Sequence, residues 1–141
     1  MSFQKPECSP SCFVLIDDNL GDLHLMEVAL KQLFKDSKVL AFESGEAFHE
    51  YWESANTGSP PIKSFFIDYN MSGMSGKDVL NYLKSQTEIL CPIYIFSGAL
   101  LASMKEDMLA LGATDFLEKP LDFDSLVSLL ADLFDPKISI A

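Results

Sequence analysis

A chain of 141 residues, 48% of them hydrophobic, has material for one folded domain and one core, and no room for a second domain. Its 10 Lys plus Arg against 21 Asp plus Glu give a formal charge of -11, which repels nucleic-acid phosphates and argues against direct DNA binding. No apolar stretch approaches the length of a membrane span and the N-terminal MSFQKPECSPSC lacks a signal-peptide pattern, so a soluble, cytoplasmic protein without membrane insertion is expected.

Along the chain, short apolar runs of strand length alternate with segments of helical spacing. CFVLI (12–16) reads as the first strand; behind the capping candidate Asn19, Leu23, Met26, Leu30, Leu33 and Phe34 follow a helical period. KVLAF (38–42) is the second strand and GEAFHEYWES the second helix. The polar loop NTGSPP (56–61) leads into SFFI (64–67), the third strand, and an amphipathic segment from Lys77 to Gln86 follows Gly76. PIYIF (92–96) and TDFL (114–117) are the last two strands. ALLASMKEDMLALG, stopped by Gly112, and FDSLVSLLADLF are the last two helices. DPKISIA (135–141) is a short tail, and no linker to an output domain is expected.

Runs this uniformly apolar, alternating with helices, predict a parallel sheet covered on both faces. The expected fold is a single doubly wound α/β domain over residues 1–141, core about 11–135. Its five-stranded parallel sheet has the order 2-1-3-4-5 with five helices, flavodoxin-like. Ligands in such folds sit at the carboxyl ends of the strands, where strand order reverses.

Those ends are chemically alike. The first strand runs into Asp17 and Asp18, the third into Asp68, the fourth into Ser97, and the fifth, after Glu118, into Lys119. Two carboxylates about 4 Å apart repel by roughly 4 kcal/mol at an effective dielectric near 20, so three on one rim call for a cation. Oxygen ligands without His or Cys suit Mg2+. A neutralised cluster also prepares Asp68 as a nucleophile toward a phosphoryl group, with the metal and Lys119 on the equatorial oxygens and Ser97 as a hydrogen-bond donor. Cys8, Cys12 and Cys91 make a poor zinc set and read as idle or buried thiols; His24 and His49 have no ligand partner at useful spacing.

The set VLIDDN, FFIDYNMSGMSG, IFSGA and FLEKP, in this order over residues 13–121, resembles the receiver domain of two-component response regulators. The DDNLGDLHLMEVAL start is similar to that of stand-alone receivers, including those paired with phytochrome kinases. The resemblance implies that Asp68 accepts phosphate from a phosphohistidine of a sensor histidine kinase or a histidine phosphotransfer protein. It further implies that Asp17, Asp18, Asp68 and the backbone carbonyl of Asn70 hold Mg2+, and that Lys119 pairs first with Asp68 and then with the phosphoryl oxygens. A cis bond between Lys119 and Pro120, Ser97 moving toward the phosphoryl group and Phe116 swinging inward complete the implied switch.

Output in this family uses the surface of the fourth helix, fifth strand and fifth helix, which would contact a downstream protein target and support a homodimer. The last helix carries an apolar arc wider than one core-facing stripe, and Leu100, Met104 and Leu129 are the residues whose exposure would favour an interface. One departure stands out: Ser72 occupies the place, four residues after Asp68, where the family usually has proline, which implies a less rigid loop and bears on acyl-phosphate lifetime. Ala99 is too small to position an attacking water, whereas Asn70 could.

Two hydrolase readings are disfavoured. A dehalogenase-type phosphatase wants a second Asp where Asn70 stands, and GMSGK (73–77) lacks the first Gly and the Ser or Thr of a phosphate-binding loop. The chain therefore reads as a phosphoacceptor switch, with at most slow self-dephosphorylation, rather than an enzyme acting on an external substrate. The alternative is a receiver-like docking module that works without phosphate.

Overall fold

The chain alternates strand and helix throughout, in the order β1 (Cys12–Ile16), α1 (Leu20–Leu33), β2 (Lys38–Phe42), α2 (Gly45–Ala55), β3 (Ile62–Asp68), α3 (Gly76–Lys84), β4 (Ile93–Ser97), α4 (Ala102–Ala110), β5 (Asp115–Glu118) and α5 (Phe123–Leu133). This computed structural model describes residues 12–55, 61–86, 89–99 and 101–134. Leu100, Cys8, most of the 56–61 loop and both tails lie outside them. All strand pairs are parallel, in the order β2-β1-β3-β4-β5, as the uniformly apolar runs predict.

Alternation along each strand builds two cores. Val14, Ile16, Phe65, Ile67, Ile93, Ile95 and Phe116 point to one face, against Phe48 of α2, Val79, Leu80 and Leu83 of α3, and Met108 of α4. Phe13, Leu15, Phe66, Tyr94 and Phe96 point to the other, against Leu23, Met26 and Leu30 of α1 and Leu126 and Leu130 of α5. β1 is buried along its whole length because strands flank it and helices cover both faces.

Local chemistry sets the helix starts. Asn19 caps α1 by accepting the N–H of Asp22 at 3.0 Å. At α3, Ser75 and Asp78 form a reciprocal capping box, which starts the helix at Gly76 rather than Lys77. Gly112 stops the chain after α4 at φ 109°, the conformation its Cβ-free backbone allows.

The broad apolar arcs of α4 and α5 are mostly inside. Met104 and Leu129 are half-buried, each packed on one of the two cores, so they do not form the exposed patch that would favour an interface. Leu101 and Leu109 are the exposed apolar residues of that region. Elsewhere Leu20, Leu25, Val28 and Leu121 stand out from the α1/α5 side.

Candidate functional site

Parallel strands present their carboxyl ends at one rim, and the 2-1-3 order puts the ends of β1 and β3 side by side, with Ile16 paired to Ile67. Asp17 and Asp68 follow directly and are buried, at 8% and 6% exposure, while Asp18 is exposed. One carboxylate oxygen from each of Asp17, Asp18 and Asp68 lies within 4.8 Å of the others, the one such group of possible metal-holding side chains among the described residues. Asn70 follows two residues after Asp68 on the β3–α3 loop.

Lys119, directly after β5, reaches across the rim. Its Nζ lies 3.0 Å from Asp17 Oδ2, 2.8 Å from Asp22 Oδ2 and 3.3 Å from Asp68 Oδ1. Burial pulls this ammonium toward lower pKa, but the bonds to Asp22 and Asp17 and the charges of Asp17 and Asp68 outweigh it and hold Lys119 above its ordinary range. Burial, with the Asp17 charge next, pushes the Asp68 carboxyl up to about 6, against the partial relief that Lys119 supplies.

Asp22 is the member that sequence reasoning missed. An acid in the first turn of a helix is ordinarily a dipole and capping choice. Here Asn19 starts α1 at the rim itself, so the first-turn acid faces the same cation as the strand ends. The signal was an Asp five residues beyond Asp17 on a helix that begins at the switch point.

Ser97 ends β4 and is fully buried; its Oγ accepts the N–H of Ala99 at 3.2 Å, and its carbonyl accepts the N–H of Lys119 at 2.7 Å. The hydroxyl proton is thus the group Ser97 can offer to an incoming oxygen. One expectation is corrected. No peptide bond among the described residues is cis, so the Lys119–Pro120 bond is trans, the form an X-Pro bond prefers by about 0.5–1 kcal/mol unless its surroundings oppose it. Phe116 is fully buried, edge-on to Tyr69 at 5.5 Å.

Despite Ser72, the β3–α3 loop is well tethered. Ser72 N–H donates to Asp18 Oδ2 at 3.3 Å, Met74 N–H to Glu46 Oε2 at 2.8 Å, and Gly76 N–H to Tyr69 O at 3.1 Å. A proline at 72 could not make the first of these bonds. His24 and His49 lie apart from the rim; His49 meets Tyr82 edge-on and sits 3.9 Å from Glu53. Cys12 and Cys91 are free thiols.

The Asp17, Asp22 and Asp68 carboxylates share the one Lys119 ammonium, and Asp18 adds a fourth carboxylate to the cluster. That imbalance, together with an all-oxygen donor set, fits a hard divalent cation such as Mg2+. An open parallel sheet of this order with an acid cluster and a lysine at its switch point defines a flavodoxin-like domain with a candidate cation site. Residues 13–131 match the response regulator receiver domain, and the chain belongs to that family.

Curated relatives include the two-component response regulators ARR17 and ARR7 of Arabidopsis thaliana. The first is 29% identical over 85% of this chain and 82% of its own length; the second is 28% identical over 80% of this chain and 58% of its own length. Among solved structures, the phosphorylated cyanobacterial phytochrome response regulator RcpA superposes with a TM-score of 0.80 at 20% identity, covering 94% of this chain and 97% of that one. The Mn2+-bound response regulator Rcp1 gives 0.75 at 18% identity, covering 88% and 91%. At these identities the structural neighbours speak for the fold.

Proposed function

We propose that this receiver is a Mg2+-dependent phosphoacceptor switch in a two-component phosphorelay, acting in the cytoplasm. The observation that carries this is the meeting at one rim of the Asp17, Asp18 and Asp68 carboxylates, within 4.8 Å of one another, with the Lys119 ammonium 3.3 Å from Asp68. Asp17, Asp18, Asp68 and the Asn70 carbonyl would hold the cation, which supplies charge neutralisation for the incoming phosphoryl oxygens.

Asp68 acts as the nucleophile. Its carboxylate oxygen forms a bond to phosphorus as the phosphorus–nitrogen bond of a phosphohistidine breaks, and the electron pair returns to the imidazole of the kinase or phosphotransfer partner. Lys119 shifts from its carboxylate partners toward a phosphoryl oxygen, and the Ser97 hydroxyl donates to another. Leu20 and Leu121, exposed on the loops and helix start around the rim, offer apolar surface to the donor as it approaches. The product is an acyl phosphate that the domain hydrolyses slowly, with Asn70, two residues after Asp68, as the side chain that would orient water; no external substrate is turned over.

The new group brings roughly 1.5 to 2 negative charges to the rim. It biases the domain only through contacts that differ between two packings. Ser97 ends β4, Lys119 directly follows β5 and its N–H donates to Ser97 O, so their movement reaches the α4/β5/α5 face, where a downstream protein or a second copy would bind.

Incubation with Mg2+ and acetyl phosphate, followed by intact mass measurement, tests the reading. One added phosphoryl group that requires both Mg2+ and Asp68, and is lost in Asp68→Asn, is the expected result. A folded chain that takes no phosphoryl group from several donors would instead be a docking module independent of phosphate.

A further inference from the structure

One exposed carboxylate reaches the loop of the acid cluster from a different helix. Glu46, the second residue of α2, accepts the N–H of Met74 through Oε2 at 2.8 Å. Two residues earlier on the same loop, the N–H of Ser72 goes to Asp18 Oδ2 at 3.3 Å. Alternate amides of one short loop are therefore held by two carboxylates that approach from separate elements. Gly73 between them adopts φ 72°, and a Cβ at that position would collide with Glu46 Oε2. Gly45 allows the start of α2 to close on the loop, since a Cβ there would stand 2.8 Å from Met74 Cβ and Val79 Cγ2.

We propose that Glu46 is a positioning residue for the cation site, fixing the β3–α3 loop so that Asp18 and the Asn70 carbonyl face the ion together. This rests on the Mg2+-dependent reading given above. Asp18 can turn toward a cation and still keep the Ser72 N–H only while the loop stays in place, and Asn70 lies two residues before Ser72 on the same loop. Without Glu46 the loop has to be ordered when the ion binds, and that ordering entropy is subtracted from affinity. Glu46 and the Ser72 amide thus do by hydrogen bonding what a prolyl ring at 72 would do by stiffness.

The test titrates Mg2+ alone into the wild-type chain, Glu46→Ala, Glu46→Gln and Gly73→Ala by calorimetry, and follows amide exchange at Ser72, Met74 and the core strands by NMR. Losing one charge-assisted hydrogen bond to an exposed loop is expected to weaken Mg2+ binding about fivefold and speed Met74 exchange about tenfold in Glu46→Ala, with core-strand exchange unchanged. Glu46→Gln keeps an acceptor oxygen and recovers most of the affinity. Gly73→Ala, which drives a Cβ against Glu46, weakens binding in the same direction.

Wild-type Mg2+ affinity in Glu46→Ala alongside faster Met74 exchange would overturn the positioning role. Unchanged Met74 exchange would overturn the contact itself, and loss of core-strand protection would make Glu46 a residue of the fold instead. A wild-type chain that binds no Mg2+ overturns the phosphoacceptor reading and the positioning role with it, while the exchange data still show whether Glu46 holds the loop.

Discussion

Burial and the adjacent Asp17 charge raise the Asp68 carboxyl from its ordinary 3.8 to about 6, so without a divalent cation the ionised carboxylate is a burden on the fold. The native state keeps a proton that the unfolded chain releases between those two values. The penalty is therefore fully present above pH 6, shrinks as pH falls through 6, and is gone below 4. The difference corresponds to a ceiling of about 3 kcal/mol at neutral pH. Asp68→Asn removes the charge and is expected to stabilise the metal-free protein by about 1–3 kcal/mol at pH 7.5, and by much less at pH 4.5. Urea denaturation at both values checks this; an equal gain at both would show that the ionised carboxylate carries no such penalty. Asp17, Asp18, Asp68, Ser97 and Lys119 were legible because each is a polar residue at or next to the end of an apolar run. Asp22 was not, because nothing local separates it from an ordinary first-turn acid. Its place beside Lys119 comes from where α1 begins relative to the sheet.

At the scale of elements, the close approach of α3 to the end of β3 rests on Gly76. A Cβ there would lie 2.5 Å from Asp68 O and 2.7 Å from Tyr69 Cα, both backbone atoms that cannot swing away. Helix propensity alone favours alanine over glycine by about 1 kcal/mol, so the signs oppose each other. The clash involves backbone, and Gly76→Ala is expected to destabilise by about 1–3 kcal/mol in urea denaturation. Stability at or above wild type would mean that α3 slides freely relative to Asp68. Strands and helix types were readable from period and turn residues; ends moved by one to three residues, and at α3 the Ser75 capping box decided the start. The width of the α4 and α5 apolar arcs was misleading for a tertiary reason. Met104 and Leu129 widen the apolar arcs of their helices, yet each is sheltered by packing on one of the two cores, so arc width overstates exposed surface.

For the whole molecule, a formal charge of -11 means that any cation relieves self-repulsion, and a specific ion effect has to be told apart from screening. The switch-point cluster makes that separation possible through pH. Binding at Asp17, Asp18 and Asp68 requires Asp68 ionised, so protons compete with the ion once pH falls below about 6. Below that value, affinity is expected to fall about tenfold per pH unit, whereas screening of the remaining surface charge changes far less steeply. At pH 7.5 and a concentration 100 times Kd, Mg2+ is expected to stabilise the fold by about 2.7 kcal/mol. At pH 5 the same Mg2+ concentration should keep only about half of that gain, about 1.4 kcal/mol, and NaCl of matched ionic strength should reproduce only a small part at either pH. Thermal unfolding with Mg2+, with NaCl and with neither, at the two pH values, decides it. Equal stabilisation by Mg2+ at pH 5 and 7.5, or full reproduction by NaCl, would place the cation on the acidic surface at large rather than at the ends of β1 and β3.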